Sequence, residues 1–501
     1  MANIRIFFFV VVMMFGNCCG KTKPSVIVVG AGAAGIAAAT KLLKNGIEDV
    51  KILEAENRIG GRVHSVHFGG SYVDLGAEWC YGQRGNAVYD LVKESNVLVL
   101  NADATPILIH SKLKTMDPDF AEELFEIFEQ VYEEDRKWSK ETLGDYVGRK
   151  YRNVVEKRWG KNSKNLKVAL ESIDLLEKTV LSFEGAFSWS SVAAATDYVR
   201  SGGNRQLGWN GHGYKTVLEA MMQKLPDPKN ALPMDDKIFL NKEVSRIDWN
   251  SMVDGEEKVV LECSDGTQYV ADHVILTVSL GVLKNQHKTL IVPSLTDDKI
   301  QAVEQLGFEA VFKMMLYFEH PWWKRNFPGY SFVWDTDDVD DFSEGTPSTD
   351  NRLKTKSWVT SFLTLMPVSG SRNVLSAWFT GQFVPEIERC SDETLINGFM
   401  HLMSKFGAWT NPIRPNNLTR HAWYSNPHFK GTYSYQTLEA RADGRSKEKI
   451  LSEPLATPSG KQRLLFAGEA THPTHFGSVH GAIETGFREA DRILKIYNLP
   501  E

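Results

Sequence analysis

Apolar positions along this chain fall into three kinds of run. The first kind is short and continuous: Val26-Ile27-Val28-Val29, Val50-Lys51-Ile52-Leu53 and Leu464-Leu465-Phe466. Such runs read as strands buried on both faces of a parallel sheet. An alanine-rich stretch after Gly35 separates the first two, so 26–54 is predicted as a strand–helix–strand unit. The second kind recurs at helical spacing. Phe120, Leu124, Ile127 and Phe128 stand among Glu122, Glu123 and Glu126, which predicts a charged helical region from about Pro118 to Lys178 that caps a cavity or covers the surface. The third kind is strand-rich, at Lys258 to Glu262, Tyr269 to Val278, Val311 to Phe318 and Trp358 to Leu363. One charge, Lys313, interrupts the apolar stretch Ala310 to Phe318.

The turn after Val29 carries the first chemistry. Gly30-Ala31-Gly32-Ala33-Ala34-Gly35 lets the chain turn tightly and bring backbone N–H groups against a pyrophosphate at a helix N-terminus. Glu54 stands 24 residues after Gly30, where an acid accepts hydrogen bonds from a ribose hydroxyl and disfavours a phosphorylated ribose. Gly60-Gly61-Arg62 follows, a second close approach in which the guanidinium offers a fixed fork of donors to phosphate. Near the other end, Phe466-Ala467-Gly468-Glu469 again runs from a strand into a glycine and an acid. A dinucleotide site assembled from both chain ends implies a large cofactor, FAD rather than NAD.

At 501 residues the chain exceeds the size at which one core stops growing, so two domains are expected. Its 42% hydrophobic and 24% charged content is that of a soluble globular protein. The net charge of −6 argues against a nucleic-acid footprint and mildly favours encounter with cations. The acidic run Asp335 to Asp341 reads as a solvated loop. At the start, Arg5 precedes the apolar run Ile6 to Phe15 and the compact residues Gly16 to Gly20. This is the layout of a signal peptide, with cleavage near Gly20, export and no remaining transmembrane span, against an uncleaved anchor or a mis-assigned start and a cytoplasmic protein. Cys80, Cys263 and Cys390 then remain, too few for a disulfide scaffold, and Asn417-Leu418-Thr419 is a glycosylation sequon. No metal is expected.

From Ser25 to Leu494 the chain resembles the FAD-dependent polyamine oxidases of the flavin amine oxidase family. The likeness rests on the Gly30 turn with Glu54, Gly60-Gly61-Arg62, Leu75-Gly76-Ala77-Glu78-Trp79, Val274 to Lys284, the segment around Lys313, Trp423 to Tyr435, and Phe466 to His472. It implies an α/β fold: a Rossmann-like FAD-binding domain built from discontinuous segments 24–105, 205–290 and 425–501, after a signal peptide at 1–20. An α+β substrate-binding domain, with a mixed sheet flanked by helices, would take 106–204 and 291–424.

The resemblance implies non-covalent FAD held by Gly30, Gly32, Ala33, Ala34, Gly35, Glu54, Gly61, Arg62, Ala77, Glu78, Trp79, Val244, Trp423, Phe429, Gly468, Glu469, Ser478 and Val479. Lys313 is the candidate catalytic residue. Burying its ammonium in an apolar strand is costly unless it is solvated or paired, and the family lysine at this position holds a water against flavin N5. The substrate would be a polyamine, oxidised at a carbon–nitrogen bond with dioxygen as acceptor. Tyr433 matches the aromatic substrate tunnel, and Ser478 stands where animal members carry a small hydroxyl residue. The sequence departs from the family at Tyr81, where relatives carry histidine or glutamate; a tyrosine brings no charge near neutral pH. Glu184 is a candidate compensating carboxylate, against a plain reading as a surface acid. A secreted L-amino-acid oxidase, with Arg420 or Arg205 for the substrate carboxylate, and an inert flavin-binding protein are the alternatives.

Overall fold

The computed structural model describes residues 23–100, 105–204, 206–338, 342, 344, 357–407 and 413–500. The expected export segment 1–20, Arg205 and the end of the acidic run at 339–341 lie outside them. Two large sheets organise the chain. The first has six strands in the order Leu455–Ala456, Gln462–Phe466, His273–Leu276, Val26–Val29, Val50–Leu53 and Ile238–Phe239. All neighbours are parallel except the antiparallel edge strand Leu455–Ala456. Continuous apolar runs suit this sheet because both of its faces are covered, and Val26 to Val29 are all buried.

The strand ends gather chemistry at one edge. Val29 runs into Gly30, Leu53 into Glu54, Leu276 into Thr277 and Phe466 into Ala467-Gly468-Glu469. In parallel sheets this carboxyl edge is where ligands bind. Helix Ala33–Lys44 leaves from Gly32 and crosses helix Val479–Ile496 closely; a Cβ on Gly486 would stand 2.2 Å from the Ala34 carbonyl oxygen.

The second sheet has seven strands in the order Asn417–Arg420, Phe312–Tyr317, Val374–Phe379, Phe362–Pro367, Tyr330–Val333, Ile107–His110 and Lys114–Thr115. It is mixed: Tyr330–Val333 runs parallel to Ile107–His110, and the other pairs are antiparallel. One face buries Phe312, Met314 and Leu316 with Leu395, Phe399 and Leu402 of helix Asp392–Lys405. Val311 and Trp378 pack instead with the helical region that the sequence places between Pro118 and Lys178.

That region is four helices, Pro118–Tyr132, Leu143–Trp159, Lys164–Glu171 and Ile173–Glu184. Asp117, Thr142 and Ser163 cap the first three through side-chain acceptors, which explains where each begins. Trp358 to Ser361 forms a 3-10 turn, so the strand expected there starts at Phe362. The acidic run departs from expectation at its first residue, while Asp337 is exposed as a loop acid. Asp335 is buried and paired with Lys112 at 2.6 Å and Lys167 at 3.0 Å, so it is an internal counter-ion and not a solvated loop acid. Among the described residues no helix is long and apolar enough to cross a membrane, and Cys80, Cys263 and Cys390 are buried thiols.

Gly35 sets the tightness of the first turn. A Cβ there would lie 2.0 Å from the Gly30 carbonyl oxygen, whereas one on Gly32 would meet nothing closer than 4.0 Å. Gly35→Ala is therefore expected to lower unfolding free energy by about 1–3 kcal/mol, and Gly32→Ala to leave it nearly unchanged. Urea denaturation of both variants checks the contrast.

Candidate active site

A single cavity of about 1340 Å³ runs along the carboxyl edge of the parallel sheet and continues beside the mixed sheet into the helical region. At its first end it is lined by Gly30, Gly32, Ala33, Ala34, Glu54, Gly61, Arg62 and Val244. Gly32 caps helix Ala33–Lys44 without any side-chain hydrogen bond. The amides of its first turn therefore lack the side chain that usually satisfies them, and the helix end presents N–H groups and positive dipole to the cavity. Glu54 accepts from the Ala31 amide at 2.7 Å and the Glu56 amide at 2.8 Å. Burial raises its carboxyl above the usual range, against those two amides, and its remaining lone pairs can accept from hydroxyls. An open Gly32, an uncapped helix end and a fixed acid fit the pyrophosphate and ribose of a dinucleotide.

Midway, Lys313 enters from strand Phe312–Tyr317 and Glu78 from the segment after strand Ser71–Asp74. Their Nζ and Oε2 are 2.6 Å apart, with side-chain exposures of 4% and 11%. Trp378, directly opposite Lys313 across the strand pair, lies under the ammonium at 4.9 Å and stacks on Trp79 with centroids 5.3 Å apart. The backbone before Glu78 is held tightly. Ala77 donates its amide to the Arg62 carbonyl at 3.1 Å, Trp423 Nε1 donates to the Leu75 carbonyl at 3.0 Å, and a Cβ on Gly76 would lie 1.9 Å from the Arg62 carbonyl oxygen. Asp74 is buried behind this pair, accepting from the Tyr214 amide at 2.9 Å and from the Ser65 hydroxyl. Burial pushes its carboxyl up to about 7, opposed by Ser65 and the nearby Lys313 charge.

The far end is aromatic and acidic. Tyr81, Phe128, Tyr132, Tyr198, Tyr433 and Phe476 line it together with Glu184. Tyr433 Oη donates to the Ser182 carbonyl at 2.6 Å, and its ring leaves Gly185, at φ +69°, no room for a Cβ. Tyr81 keeps 43% of its surface accessible because that surface faces the cavity, and burial of the rest raises its hydroxyl pKa. Glu184 accepts from Tyr132 Oη at 3.3 Å. Burial raises its carboxyl, with Arg136 the largest opposing influence.

The cavity wall includes every predicted site residue except Gly35, whose place is the turn beneath it. Several carry different duties from those expected. Arg62 donates through Nη1 to the Thr432 carbonyl at 2.6 Å and Glu469 at 2.8 Å, so one nitrogen of its fork ties the two chain ends together while the side chain lines the cavity. Glu469 also accepts from Ser434 at 2.5 Å and the Gly477 amide at 2.7 Å. Ser478 caps helix Val479–Ile496 and donates to the His475 carbonyl at 2.6 Å. Trp423 and Phe429 meet edge to face at 5.0 Å. Glu184 is a cavity carboxylate and not a surface acid. Arg420 is occupied by Asp392 and the carbonyls of Glu388 and Cys390. Sequence reasoning missed Trp378, Tyr132, Arg136 and Asp74; only the strand pairing of Trp378 with Lys313 could have signalled the first.

The sequence profile of the flavin containing amine oxidoreductases matches residues 33–494. The chain belongs to that family. Members are flavin enzymes, so this amine oxidoreductase takes FAD, for which the first end of the cavity is suited. Among similar proteins, the peroxisomal N(1)-acetyl-spermine/spermidine oxidases of Bos taurus and Homo sapiens are each 28% identical over 95% of this chain and 95% of their own. Probable polyamine oxidase 5 of Arabidopsis thaliana is 27% identical over 95% of this chain and 99% of its own.

Asp74 gives the oxidoreductase a pH signature. Its folded value lies above the ordinary 3.8, so the native state holds a proton that the unfolded chain releases. The stability it contributes is fully present below about pH 4 and is lost as pH rises toward 7. Asp74→Asn keeps the acceptor for Tyr214 and should flatten that fall. Urea midpoints at pH 5 and pH 8 for both proteins measure it.

Proposed function

We propose that this amine oxidoreductase oxidises a carbon–nitrogen bond of a polyamine, whether spermine, spermidine or an acetylated form, to an aldehyde and a shorter amine. The observation that carries the reading is the continuity of one cavity from the uncapped helix end at Gly32, past Lys313, to an aromatic end holding the carboxylate of Glu184. A flat aromatic wall accommodates the methylene chain of an amine and attracts a cation to its π-face. Glu184, whose hydrogen-bond donor is the uncharged Tyr132 hydroxyl, is available to a substrate ammonium, which makes up for the absence of charge at Tyr81. Bound FAD would supply the two-electron acceptor for the carbon–nitrogen bond, with dioxygen as the final oxidant taking up two electrons and two protons as hydrogen peroxide. The chain's own part is to orient the amine between Tyr433 and Lys313, to exclude bulk water with Trp79 and Trp378, and to admit the one water that hydrolyses the imine.

The discontinuous organisation belongs to the same reading. The parallel sheet takes all its strands from 24–105, 205–290 and 425–501, which supports a FAD-binding domain. The mixed sheet takes all its strands from 106–204 and 291–424, which supports a substrate-binding domain. The run Ile6 to Phe15 supports cleavage near Gly20 and secretion. An amino-acid oxidase would need an arginine for a carboxylate; Arg136 in the cavity is engaged by the carbonyls of Tyr132 and Ala194, Arg200 pairs with Glu133, and Arg420 lies outside it, which leaves Arg325 of the wall as the arginine such a reading would use.

Peroxide release assayed with spermine, spermidine, their acetylated forms and common amino acids tests the reading, which fails if only amino acids are turned over. An enzyme without turnover on any of these, and without bleaching of its flavin under anaerobic substrate, is the inert flavoprotein. Activity should rise with pH until the substrate amine is mostly neutral. Lys313→Met should fold and bind FAD but slow flavin reduction or reoxidation by more than about tenfold in stopped-flow. Glu184→Gln should raise KM for the polyamine by about tenfold with kcat little changed, the scale of one charge-assisted contact.

A further inference from the structure

Two of the charged residues in the cavity wall meet at its middle and satisfy one another. We propose that Glu78 is a positioning residue: its carboxylate fixes Lys313 Nζ and cancels its charge, so the reaction centre presents a neutral ion pair in place of a free ammonium. The inference rests on the flavin amine oxidase reading of this cavity and assigns Glu78 a task other than holding the cofactor.

The geometry is specific. The 2.6 Å separation is that of a short charge-assisted hydrogen bond. Both side chains are nearly closed to solvent, where Coulomb attraction is strong and an unpaired charge is costly. Neither partner is free to drift. Lys313 is pinned by a strand bonded on both sides, to Val374–Phe379 and to Asn417–Arg420. Glu78 follows Leu75, Gly76 and Ala77, whose backbones are tied to Trp423 and Arg62. The Trp378 face at 4.9 Å gives the ammonium a second anchor that adds no net charge. An acid placed beside the lysine therefore sets where Nζ points and what field a bound substrate or cofactor feels. A cationic amine can approach such a pair, whereas a bare buried ammonium would repel it.

Charge cancellation predicts a reciprocal pattern that a merely structural contact does not. Holoenzymes carrying Glu78→Gln, Glu78→Asp, Lys313→Met and the double variant E78Q/K313M are compared by thermal unfolding and by titration with sulfite, an anion that adds to flavin and bleaches its visible band. Glu78→Gln leaves one uncompensated positive charge and should tighten sulfite binding at least tenfold. Glu78→Asp should return it part-way to wild type, and E78Q/K313M fully. The double variant should also melt above both single variants, because it removes both members of the pair together. Unchanged sulfite affinity in Glu78→Gln, or a double variant that melts below both singles, overturns the proposal. If Glu78→Gln fails to accumulate as a folded flavoprotein, recovery in E78Q/K313M supports the pairing and continued failure overturns it. A sulfite response in protein that oxidises no polyamine would sink the proposed substrate and leave this inference standing, while protein that takes up no flavin would sink the reading beneath it.

Discussion

Parallel pairing of Val26–Val29 with His273–Leu276 is the constraint from which the rest of the molecule follows. These strands are more than two hundred residues apart, yet their register puts Gly30 beside Thr277, whose hydroxyl donates to the Val29 carbonyl at 2.8 Å. Adding Gln462–Phe466 on the far side brings Glu469 to the same edge. Arg62 then closes the arrangement by bonding Glu469 from the first chain end. The intervening chain has to leave this edge and return to it, and the mixed sheet with its helices is built on that excursion. A cavity bounded by both sheets is thus a consequence of strand order before any side chain is chosen.

What could be read in advance was whatever local pattern determines. Val26 to Glu54 encodes its strand, turn, helix and acid within thirty residues, and each element forms where the pattern puts it. The apolar setting of Lys313 was equally legible, because one charge in a nine-residue apolar run is a local fact. Its partner was not. Glu78 lies 235 residues away, and nothing in Ala77-Glu78-Trp79 distinguishes an acid facing a cofactor from one facing a lysine. The same limit explains Asp335, whose cations come from Lys112 and Lys167, and Arg62, whose partner is Glu469. A charge run tells which residues need neutralising, while the fold decides what neutralises them.

Glu184 illustrates the opposite error. At the end of helix Ile173–Glu184, followed by Gly185 in the left-handed conformation, it has the sequence profile of an exposed helix terminus. Such a terminus becomes part of a cavity wall because Tyr433, 248 residues further along the chain, packs against Gly185. The glycine that ends the helix is also the one that lets the tyrosine approach, so helix stop and cavity wall have one cause. Boundaries of this kind are visible in sequence; which side of them faces a ligand is not.

The distribution of charge along the cavity completes the logic. At the first end an uncapped helix terminus offers partial positive charge to an anionic cofactor group. In the middle Lys313 and Glu78 offset one another. Toward the far end Glu184 offers negative charge to a cation, with Tyr132 donating to it and aromatic rings around it. Arg136 and Arg200 stand in the same wall and oppose the rise of the Glu184 carboxyl, so this end is mixed in sign and Glu184 is one acid among cations. Preference for an amine at that end therefore rests on the one contact that Glu184 offers and not on a uniform field along the wall.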